Sequence, residues 1–402
     1  MPDSGAPAGG LADVRVVEMG QLLAGPFCGQ LLGDFGAEVI KVEPPGRGDP
    51  MRDWGREKPH GRSVWWPILA RNKKSVTLNL RSQRGQELAR RLTDTADVLV
   101  ENFRPGTLER WGLGPEQLWA GNPGLIITRV TGYGQSGPYS ARAGFGSVAE
   151  AMGGIRYVTG NPGMPPARAG ISLGDELAGT FAALGTLVAL HARQRTGRGQ
   201  IVDTALYEAV LAMMESLLPD WEVAGYQRER TGSVLPNVAP SNVYPTLDGP
   251  VLIAANQDKV FRRLAAAMGR PGLAGDERYA THEARGGHAD ELDELIGAWT
   301  AGQHAGDLLP LLHENGIPAG LIYRAADMLS DPHFRARAAI IRLAHPEFGE
   351  IPMQNVVPRL SATPGTVRSV GPELGQHNTE IYAGLLKLSG EQIADLAAAE
   401  VI

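Results

Sequence analysis

The chain has 402 residues, 43% of them hydrophobic and 20% charged, so it can bury an ordinary core and is long enough for two domains. A net charge of −6 and scattered basic residues argue against nucleic acid or an anionic membrane as the main partner. The single cysteine, Cys28, excludes an internal disulfide and a cysteine-built metal site, a pattern typical of cytoplasmic proteins.

No stretch of the sequence predicts a targeting or membrane segment. Residues 1–10 are rich in Pro, Gly and Ala and lack the positive start and apolar run of a signal peptide, so we expect a frayed tail. The most apolar run, residues 177–190, contains Gly and Thr and is shorter than the roughly 20 residues that cross a bilayer. We therefore expect a cytoplasmic protein with no membrane partner.

The first elements predict a parallel sheet. Residues 14–19 and 39–43 are β-branched runs typical of buried strands, and residues 27–35 between them favour a small-residue helix. Strand, helix and strand at this spacing form a βαβ unit, which indicates a Rossmann-like α/β fold. Gly46 and Gly48 follow the second strand without opening a helix, so the fingerprint of NAD or FAD binding is absent.

Basic and polar residues accompany the next strands. Residues 71–80 are read as a basic turn entering a strand, and residues 98–103 and 125–130 are read as further strands. Because the carboxyl ends of parallel strands border the ligand crevice, basic residues there suit an anionic, phosphate-bearing ligand. The alternative is that they are only solvated surface charges. The four basic residues concerned are Lys73, Lys74, Arg104 and Arg110.

A shift in composition divides the chain into two domains. A helix predicted over residues 207–226 is followed by a turn-rich stretch at residues 231–248. We predict a large Rossmann-like domain over residues 11–224, completed by residues 331–402, with a small α+β domain over residues 225–323 and a linker at 324–330.

Residues 169–192 contain the strongest candidate for covalent chemistry. Ser172, Asp175 and Glu176 stand ahead of a long apolar run, the pattern of the N-terminus of a buried helix. The helix dipole and unpaired N–H groups favour an ionised carboxylate there, and such a carboxylate can act as a nucleophile. The alternative is that Asp175 only caps the helix. The nine histidines show no metal-ligand spacing, so we expect no metal site.

Motifs along nearly the whole chain resemble those of the class III CoA-transferases of the CaiB/BaiF type. That family includes formyl-CoA transferase, succinate–hydroxymethylglutarate CoA-transferase and α-methylacyl-CoA racemase. In chain order the motifs are Leu-Ala-Gly-Pro-Phe (23–27), Gly-Ala-Glu-Val-Ile-Lys-Val-Glu (36–43), Arg-Asn-Lys-Lys-Ser (71–75), Glu-Asn-Phe-Arg-Pro-Gly (101–106), Thr-Gly-Tyr-Gly-Gln-Ser-Gly-Pro (131–138), Gly-Arg-Gly-Gln (197–200) and Leu-Gly-Gln-His (374–377).

The resemblance implies both a mechanism and an assembly. The family's nucleophile motif matches Leu173-Gly174-Asp175, so Asp175 would attack the acyl-CoA thioester and carry the reaction through an aspartyl anhydride and an aspartyl-CoA thioester. Glu176 is the second candidate carboxylate, but it points about 100° further round the helix. CoA would be a substrate, with no tightly bound cofactor. Each chain would form an open ring that interlocks with a second copy in a homodimer.

The resemblance also implies a set of CoA contacts. Arg and Lys among them would bind the phosphates of CoA, and backbone N–H groups near Ala24 and Gly25 would stabilise the oxyanion. The matched positions are Leu23, Ala24, Lys73, Lys74, Leu78, Asn79, Asn102, Phe103, Arg104, Arg110, Thr131, Gly132, Tyr133 and Gly134.

At three positions the sequence differs from individual branches of the family, and these differences make some of the family's reactions less favoured. Leu23 stands where formyl-CoA transferases would have Gln, Phe145 where the racemases use His, and Leu235 where many relatives carry His. We expect transfer of CoA from an acyl-CoA, with succinyl-CoA as the first choice, to a small carboxylic acid, preferably a dicarboxylic one. The alternatives are an acyl-CoA racemase or epimerase, and a CoA-binding subunit of a heteromeric transferase.

Overall fold

A computed structural model describes residues 9–402, and the predicted N-terminal tail lies outside them except for Gly9 and Gly10. The chain divides into two compact units. The large unit comprises the described residues up to Arg156 together with Ala169–Ser216 and Arg335–Ile402. The small unit comprises Tyr157–Arg168 and Leu217–Phe334.

The first part of the chain builds the large unit from alternating strands and helices. In chain order they are β1 (Arg15–Glu18), α1 (Ala24–Asp34), β2 (Glu38–Glu43), α2 (Trp66–Leu69), β3 (Lys73–Thr77), α3 (Gln83–Asp94), β4 (Val98–Glu101), α4 (Thr107–Arg110), α5 (Pro115–Gly121), β5 (Ile126–Thr131), α6 (Gly146–Met152), α7 (Ile155–Val158), α8 (Leu173–Thr196), β6 (Ile201–Ala205) and α9 (Leu206–Leu211).

The six strands form one parallel sheet in the order β3-β2-β1-β4-β5-β6, which confirms the predicted Rossmann-like fold. Alternate residues point to opposite faces, and both faces are buried, which is why the strands are near-continuous apolar runs. Val17 and Leu99 face a core with α3 and α5, whereas Val16 and Val98 face α1 and α8. The strand order reverses between β1 and β4, where folds of this kind form their ligand crevice.

Small residues let α8 pack closely against α1. A Cβ added at Gly179 would lie 2.7 Å from the carbonyl oxygen of Ala24, so a larger side chain there would force the helices apart. In the part of the chain that the structure describes, α8 is the one helix long and apolar enough to cross a bilayer. It is longer than the predicted run of residues 177–190, and its packing against α1 and the sheet accounts for the apolar residues on that face.

The outer face of α8 corrects the expectation of a buried helix. Leu184 is 54% exposed and Val188 is 60% exposed in the single chain. These side chains lie on the side of the helix that does not pack against α1. The sequence pattern of small and apolar residues therefore marks two apolar faces, of which only one is covered within this chain.

The small unit is an α+β structure with its own core, formed by residues such as Ile253, Phe261 and Leu308. The elements of this unit are α10 (Leu217–Ala224), β7 (Ser241–Tyr244), β8 (Val251–Ala254), α11 (Asp258–Ala267), α12 (His282–Gly287), α13 (Ala289–Thr300), α14 (Ala305–Glu314), β9 (Ala319–Leu321), α15 (Ala325–Ser330) and α16 (Pro332–Ala336). Strands β7, β8 and β9 make a three-stranded antiparallel sheet.

The unit boundaries differ from the predicted domains at three places. Residues 157–168, 217–224 and 324–334 all belong to the small unit. The first of these joins it through bonds to a distant segment, since the Gly232 N–H donates to the carbonyl of Gly160 at 2.9 Å. The single helix predicted over residues 207–226 is broken into α9 and α10, with Glu215 at φ 52° between them.

The C-terminal part, from Arg335 onward, belongs to the large unit. Strands β10 (Ile340–His345) and β11 (Gly349–Gln354) pair as an antiparallel hairpin, and the chain then runs along β3, where the His377 N–H donates to the carbonyl of Ser75 at 2.9 Å. A π-helical turn at Glu380–Leu385 and α17 (Gly390–Ala398) complete the core beneath the sheet.

Candidate active site

The carboxyl ends of β1 to β4 open onto a cavity of about 1440 Å³ within the large unit. This volume exceeds the roughly 300–1,000 Å³ common for sites of drug-sized ligands, so the cavity suits a long ligand. Four of the predicted CoA contacts line it, namely Leu78, Asn79, Phe103 and Arg104.

Three exposed arginines line this cavity: Arg47, Arg81 and Arg104. Among residues 9–402, no carboxylate forms an ion pair with any of the three. They outnumber the exposed carboxylates in the lining, Asp53 and Glu400. Guanidinium groups make strong bidentate hydrogen bonds to phosphates, so the cavity is suited to a ligand that carries several phosphate groups.

Sequence reasoning missed Arg47 and Arg81. Arg47 lies after β2 between Gly46 at φ 73° and Gly48 at φ 69°, conformations that glycine adopts readily. The Gly-Arg-Gly pattern at the end of a strand, which is also part of the family resemblance, is the available signal, but the predicted CoA contacts do not include Arg47. Arg81 follows Asn79, a predicted contact, by two residues.

A buried ion network fixes the loop that carries Arg47. The Lys41 ammonium lies 2.7 Å from a carboxylate oxygen of Asp49 and 3.0 Å from one of Glu18. Asp49 also accepts hydrogen bonds from the N–H groups of Leu22 and Met51. Burial alone would lower the pKa of Lys41, but Asp49 and Glu18 outweigh it and raise that pKa. The lysine therefore stays charged and ties the loop to the end of β1.

Asn102 joins the two strands at the point where the strand order reverses. Its side-chain oxygen accepts from the Gln21 N–H at 2.8 Å, and its amide nitrogen donates to the Gln21 carbonyl at 2.7 Å. Gln21 lines the cavity, whereas Asn102 does not. The side chain of Asn102 is thus engaged in holding the crevice in shape.

Leu23 and Ala24 lie at the start of α1, and each is only 4% exposed. The Leu23 side chain packs with Met51 and Trp66 in a small core cluster. The first N–H groups of a helix have no partner within the helix, so the amides of Ala24 and Gly25 are the kind of donors that an oxyanion hole requires.

Asp175 lies in the first turn of α8, opposite a glycine of α6. A Cβ added at Gly146 would lie 2.7 Å from the carboxyl carbon of Asp175, so any side chain at position 146 would displace the carboxylate. Gly179, four residues further on, lies on the same face of α8 and meets the carbonyl of Ala24. The Asp175 carboxylate and the first turn of α1 therefore flank the same side of α8.

Two other side chains are poor nucleophiles because their ionised forms are disfavoured. Burial raises the pKa of Glu176, which favours its neutral form. Burial, together with the nearby Glu18, raises the pKa of Cys28 to about 12, so its thiol stays protonated at neutral pH. In the described part of the chain, no group of three or more His, Cys, Asp or Glu side chains is arranged to hold a metal ion.

Lys73 and Lys74 are not placed to bind phosphate, contrary to the prediction. The Lys73 ammonium is buried, 2.8 Å from a carboxylate oxygen of Glu18, and donates to the carbonyl of Pro26 at 2.6 Å. Lys74 forms ion pairs with Glu38 and Glu380. The reason is that β3 begins at Lys73, so both residues lie within the strand and not in a turn before it.

The remaining predicted contacts lie outside the cavity lining. Arg110 is exposed and donates to the hydroxyl of Thr107 at 2.9 Å. At the end of β5, Thr131 has a buried hydroxyl oxygen with no hydrogen-bond partner among the described residues. A Cβ added at Gly132 would lie 2.5 Å from the Cα of Gly144, two residues before Gly146.

The segment 131–134 is therefore on the Asp175 side of the site. Gly134, the last residue of the segment, is buried at φ 84°. Tyr133 packs its ring 6.4 Å from that of Tyr207 and 6.0 Å from that of Tyr139. Apart from Lys73, Lys74, Asn102 and Arg110, the predicted contacts thus separate into a group at the arginine-lined cavity and a group near the carboxylate.

Comparison with known proteins identifies the reaction class. Residues 11–378 match the family model described as CoA-transferase family III. This chain belongs to that family. It is 63% identical over 393 residues to succinyl-CoA–D-citramalate CoA-transferase of Chloroflexus aurantiacus, with 98% of each chain covered. It is 43% identical over 396 residues to the beta subunit of succinyl-CoA–L-malate CoA-transferase of the same organism, again with 98% of each covered.

A solved structure supports the same assignment. A CaiB/BaiF family protein from Brucella suis superposes with a TM-score of 0.84 at 37% identity, covering 95% of this chain and 100% of the other. The transferase is thus a class III enzyme with the family's α/β fold. Where the racemase branch would place an imidazole, this transferase has Phe145, which is 51% exposed and cannot exchange a proton.

Proposed function

We propose that this CoA-transferase moves CoA from succinyl-CoA to a short dicarboxylic acid, with Asp175 as the nucleophile. The observation that carries the proposal is the Asp175 carboxylate in the first turn of α8, held against the bare backbone of Gly146. The donor follows from the relatives, whose names share succinyl-CoA. Their acceptors, D-citramalate and L-malate, are both short 2-hydroxy dicarboxylates, so these are the first acids to test.

The reaction begins with attack of an Asp175 carboxylate oxygen on the thioester carbonyl of succinyl-CoA. The carbonyl oxygen becomes an oxyanion, for which the amides of Ala24 and Gly25 are the proposed donors. The C–S bond then breaks, which leaves a succinyl-aspartyl anhydride and the CoA thiolate. The thiolate attacks the aspartyl carbonyl, releasing succinate and forming an aspartyl-CoA thioester.

The second half reverses these steps with the acceptor acid. Its carboxylate attacks the aspartyl-CoA thioester, which again frees the CoA thiolate and forms a new anhydride. The thiolate then attacks the acceptor's acyl carbon, which gives the new CoA thioester and restores Asp175. Because the thiolate leaves and returns in both halves, the enzyme has to retain CoA throughout.

The two groups of residues described above fit the two ends of CoA. We assign the phosphate end to the cavity lined by Arg47, Arg81 and Arg104. The thioester end is assigned to the segment 131–134 beside Asp175, with the unpartnered hydroxyl of Thr131 as a donor to the substrate. Leu78, Asn79 and Phe103 would contact the part of CoA between them. No metal or tightly bound cofactor is needed for these steps.

The test is exchange catalysed by the purified chain, with Asp175→Asn as the key variant. Wild-type enzyme mixed with succinyl-CoA and an acid should yield the acid's CoA thioester by mass spectrometry, and Asp175→Asn should lose at least a thousandfold in rate. Hydroxylamine trapping during turnover should label position 175. Glu176→Gln is the matched control and should keep activity. Full activity of Asp175→Asn would disprove the proposal.

The proposal also covers the oligomeric state of the enzyme and its location in the cell. We propose an interlocked homodimer, supported by the apolar outer face of α8, where Leu184 and Val188 are exposed in the single chain. We also propose a cytoplasmic location, because a cytoplasm supplies both CoA thioesters and small acids. Light scattering of the purified enzyme should give twice the chain mass.

One alternative keeps the chemistry but changes the assembly. Two relatives of this chain are named as the beta and alpha subunits of succinyl-CoA–L-malate CoA-transferase, and they are 43% and 41% identical to it. If this chain were likewise half of a heteromer, it would be inactive alone and would gain activity with a second, related chain. Exchange catalysed by the single purified chain would exclude that arrangement.

A further inference from the structure

The N-terminus of α8 is capped by a carboxylate from a different helix. Glu150 of α6 is 2% exposed, and one of its carboxylate oxygens accepts from the N–H of Gly174 at 3.3 Å. Gly174 directly precedes Asp175. The contact therefore fixes the backbone at the residue next to the proposed nucleophile.

Two other helices of the large unit, α3 and α17, are capped by a serine at their own N-terminus. Ser82 accepts from the Gly85 N–H at the start of α3, and Ser389 accepts from the Gln392 N–H at the start of α17. At α8 the N-cap residue is Ser172, whose side chain makes no cap hydrogen bond. Because the first amides of a helix lack partners within it, Glu150 provides at α8 the acceptor that serine provides at α3 and α17.

The glycine at position 174 makes room for this contact. A Cβ added there would lie 3.2 Å from the Cγ of Glu150 and 3.1 Å from the carbonyl oxygen of Gly146. The same backbone of Gly146 faces the Asp175 carboxylate. Glu150, Gly146 and Gly174 thus form one tightly packed corner around the start of α8.

An arginine holds Glu150 in place from the other side. A guanidinium nitrogen of Arg156 lies 2.7 Å from the second carboxylate oxygen of Glu150, and the two side chains are 25% and 3% exposed. A buried carboxylate without a cation would be costly and prone to rearrange, so Arg156 stabilises the charged, capping orientation. The negative charge of Glu150 is also favourable at a helix N-terminus, where the helix dipole is positive.

The geometry points to Glu150, oriented by Arg156, as a positioning residue that holds Asp175 in its attacking orientation. This inference rests on the proposed role of Asp175. Glu150 does not react with the substrate; it fixes the turn from which the nucleophile projects. Loss of the cap should therefore slow the chemical steps while leaving the binding of CoA nearly unchanged.

Replacement of Glu150 by leucine and by glutamine separates the cap from the charge. Glu150→Leu removes the acceptor and should lower kcat about 30-fold, with the KM for succinyl-CoA changed less than threefold. Glu150→Gln keeps an oxygen that can accept from Gly174 but turns its amide nitrogen toward Arg156, so its kcat should fall about tenfold, as in Arg156→Met, and stay above that of Glu150→Leu. Calorimetric titration with CoA and a thermal melt show whether each variant is folded and binds.

Arg156 gives a second test that does not depend on how well Glu150→Leu folds. Arg156→Met should lower kcat about tenfold at constant KM, and Arg156→Lys should restore it to within threefold of wild type. A wild-type kcat in Arg156→Met, or a Glu150→Gln variant that binds CoA but is as slow as Glu150→Leu, would overturn the inference. So would a rise in KM in place of a fall in kcat.

Asp175→Asn is measured beside these variants to keep the two proposals distinct. If Asp175→Asn is inactive while Glu150→Leu retains full kcat, the nucleophile stands and only the positioning role fails. If Asp175→Asn retains activity, the proposed function itself fails.

Discussion

Two sets of basic residues in the large unit differ in how they are used. Lys41 and Lys73 lie within strands, nearly inaccessible to solvent, and neutralise Glu18 and Asp49. Arg47, Arg81 and Arg104 lie just beyond the ends of strands, are exposed, and line the large cavity. The first set holds the loops around the crevice, and the second presents charge to a ligand.

The difference shows that depth in the sheet decides the role of a basic residue. Lys73 and Arg81 are close in sequence. The ammonium of Lys73 pairs with the buried carboxylate of Glu18, whereas Arg81 forms no ion pair with a described residue. A buried cation has to be paired, because the cost of removing it from water would otherwise move the side chain to the surface or make it lose its proton. An exposed cation beside a cavity is free to bind an anion from solution. Changes to the two sets should therefore affect different properties.

The largest effect should come from Lys41→Met. Its removal leaves the buried carboxylates of Glu18 and Asp49 without their shared cation, which should lower the free energy of unfolding by about 3–5 kcal/mol. Urea unfolding followed by tryptophan fluorescence measures this loss. A variant as stable as wild type would show that the network does not hold the fold.

The same network should make stability fall in acid. Burial alone would raise the pKa of Asp49, but Lys41 and the backbone donors lower it below the ordinary 3.8. A carboxyl with a lowered folded-state pKa contributes stability above its unfolded pKa and loses that contribution as the pH falls through the folded value.

As the pH falls below about 4 the free energy of unfolding should therefore decrease, by up to about 1.4 kcal/mol per pH unit for one proton taken up. Asp49→Asn should lack this part of the slope, although it is less stable at every pH. Equal slopes in the two proteins would contradict the assignment to Asp49.

A smaller effect, on binding only, is expected at the cavity. Arg104→Gln removes a guanidinium proposed to bind phosphate and should raise the KM for succinyl-CoA about tenfold, which is about 1.4 kcal/mol. Its stability should stay within about 0.5 kcal/mol of wild type because the side chain is exposed.

Arg110→Gln is the matched control, since Arg110 is exposed but does not line the cavity, and its KM should change less than twofold. A succinyl thioester that lacks the nucleotide part of CoA should react equally well with wild type and Arg104→Gln. Equal effects of the two substitutions on KM would contradict the placement of the phosphates.

The smallest effect is expected for Lys74→Met. Its partners Glu38 and Glu380 are 29% and 52% exposed, and exposed ion pairs contribute about 1 kcal/mol or less. The melting temperature should fall by only a few degrees, and the KM for succinyl-CoA should not change. A rise in KM would restore the original prediction that Lys74 binds phosphate.

The sequence by itself determined the local architecture and the reaction class. Buried β-branched runs such as residues 14–19 predicted strands because a sheet covered on both faces needs apolar residues at successive positions. Ser172, Asp175 and Glu176 ahead of an apolar run located the start of α8 because helix termini have local sequence preferences. The ordered motifs along the chain predicted the family that comparison then confirmed.

Only the tertiary structure decided which charged side chains are paired inside the protein. The sequence predicts Lys73 as a phosphate ligand, but β3 places it beside Glu18. Residues 157–168 belong to the small unit because they bond to a segment about 70 residues away. Glu150 carried no signal at all, since its partner Gly174 lies 24 residues further along the chain. Local pattern records propensity and burial, whereas charge pairing depends on neighbours that are distant in sequence and meet only when the chain is folded.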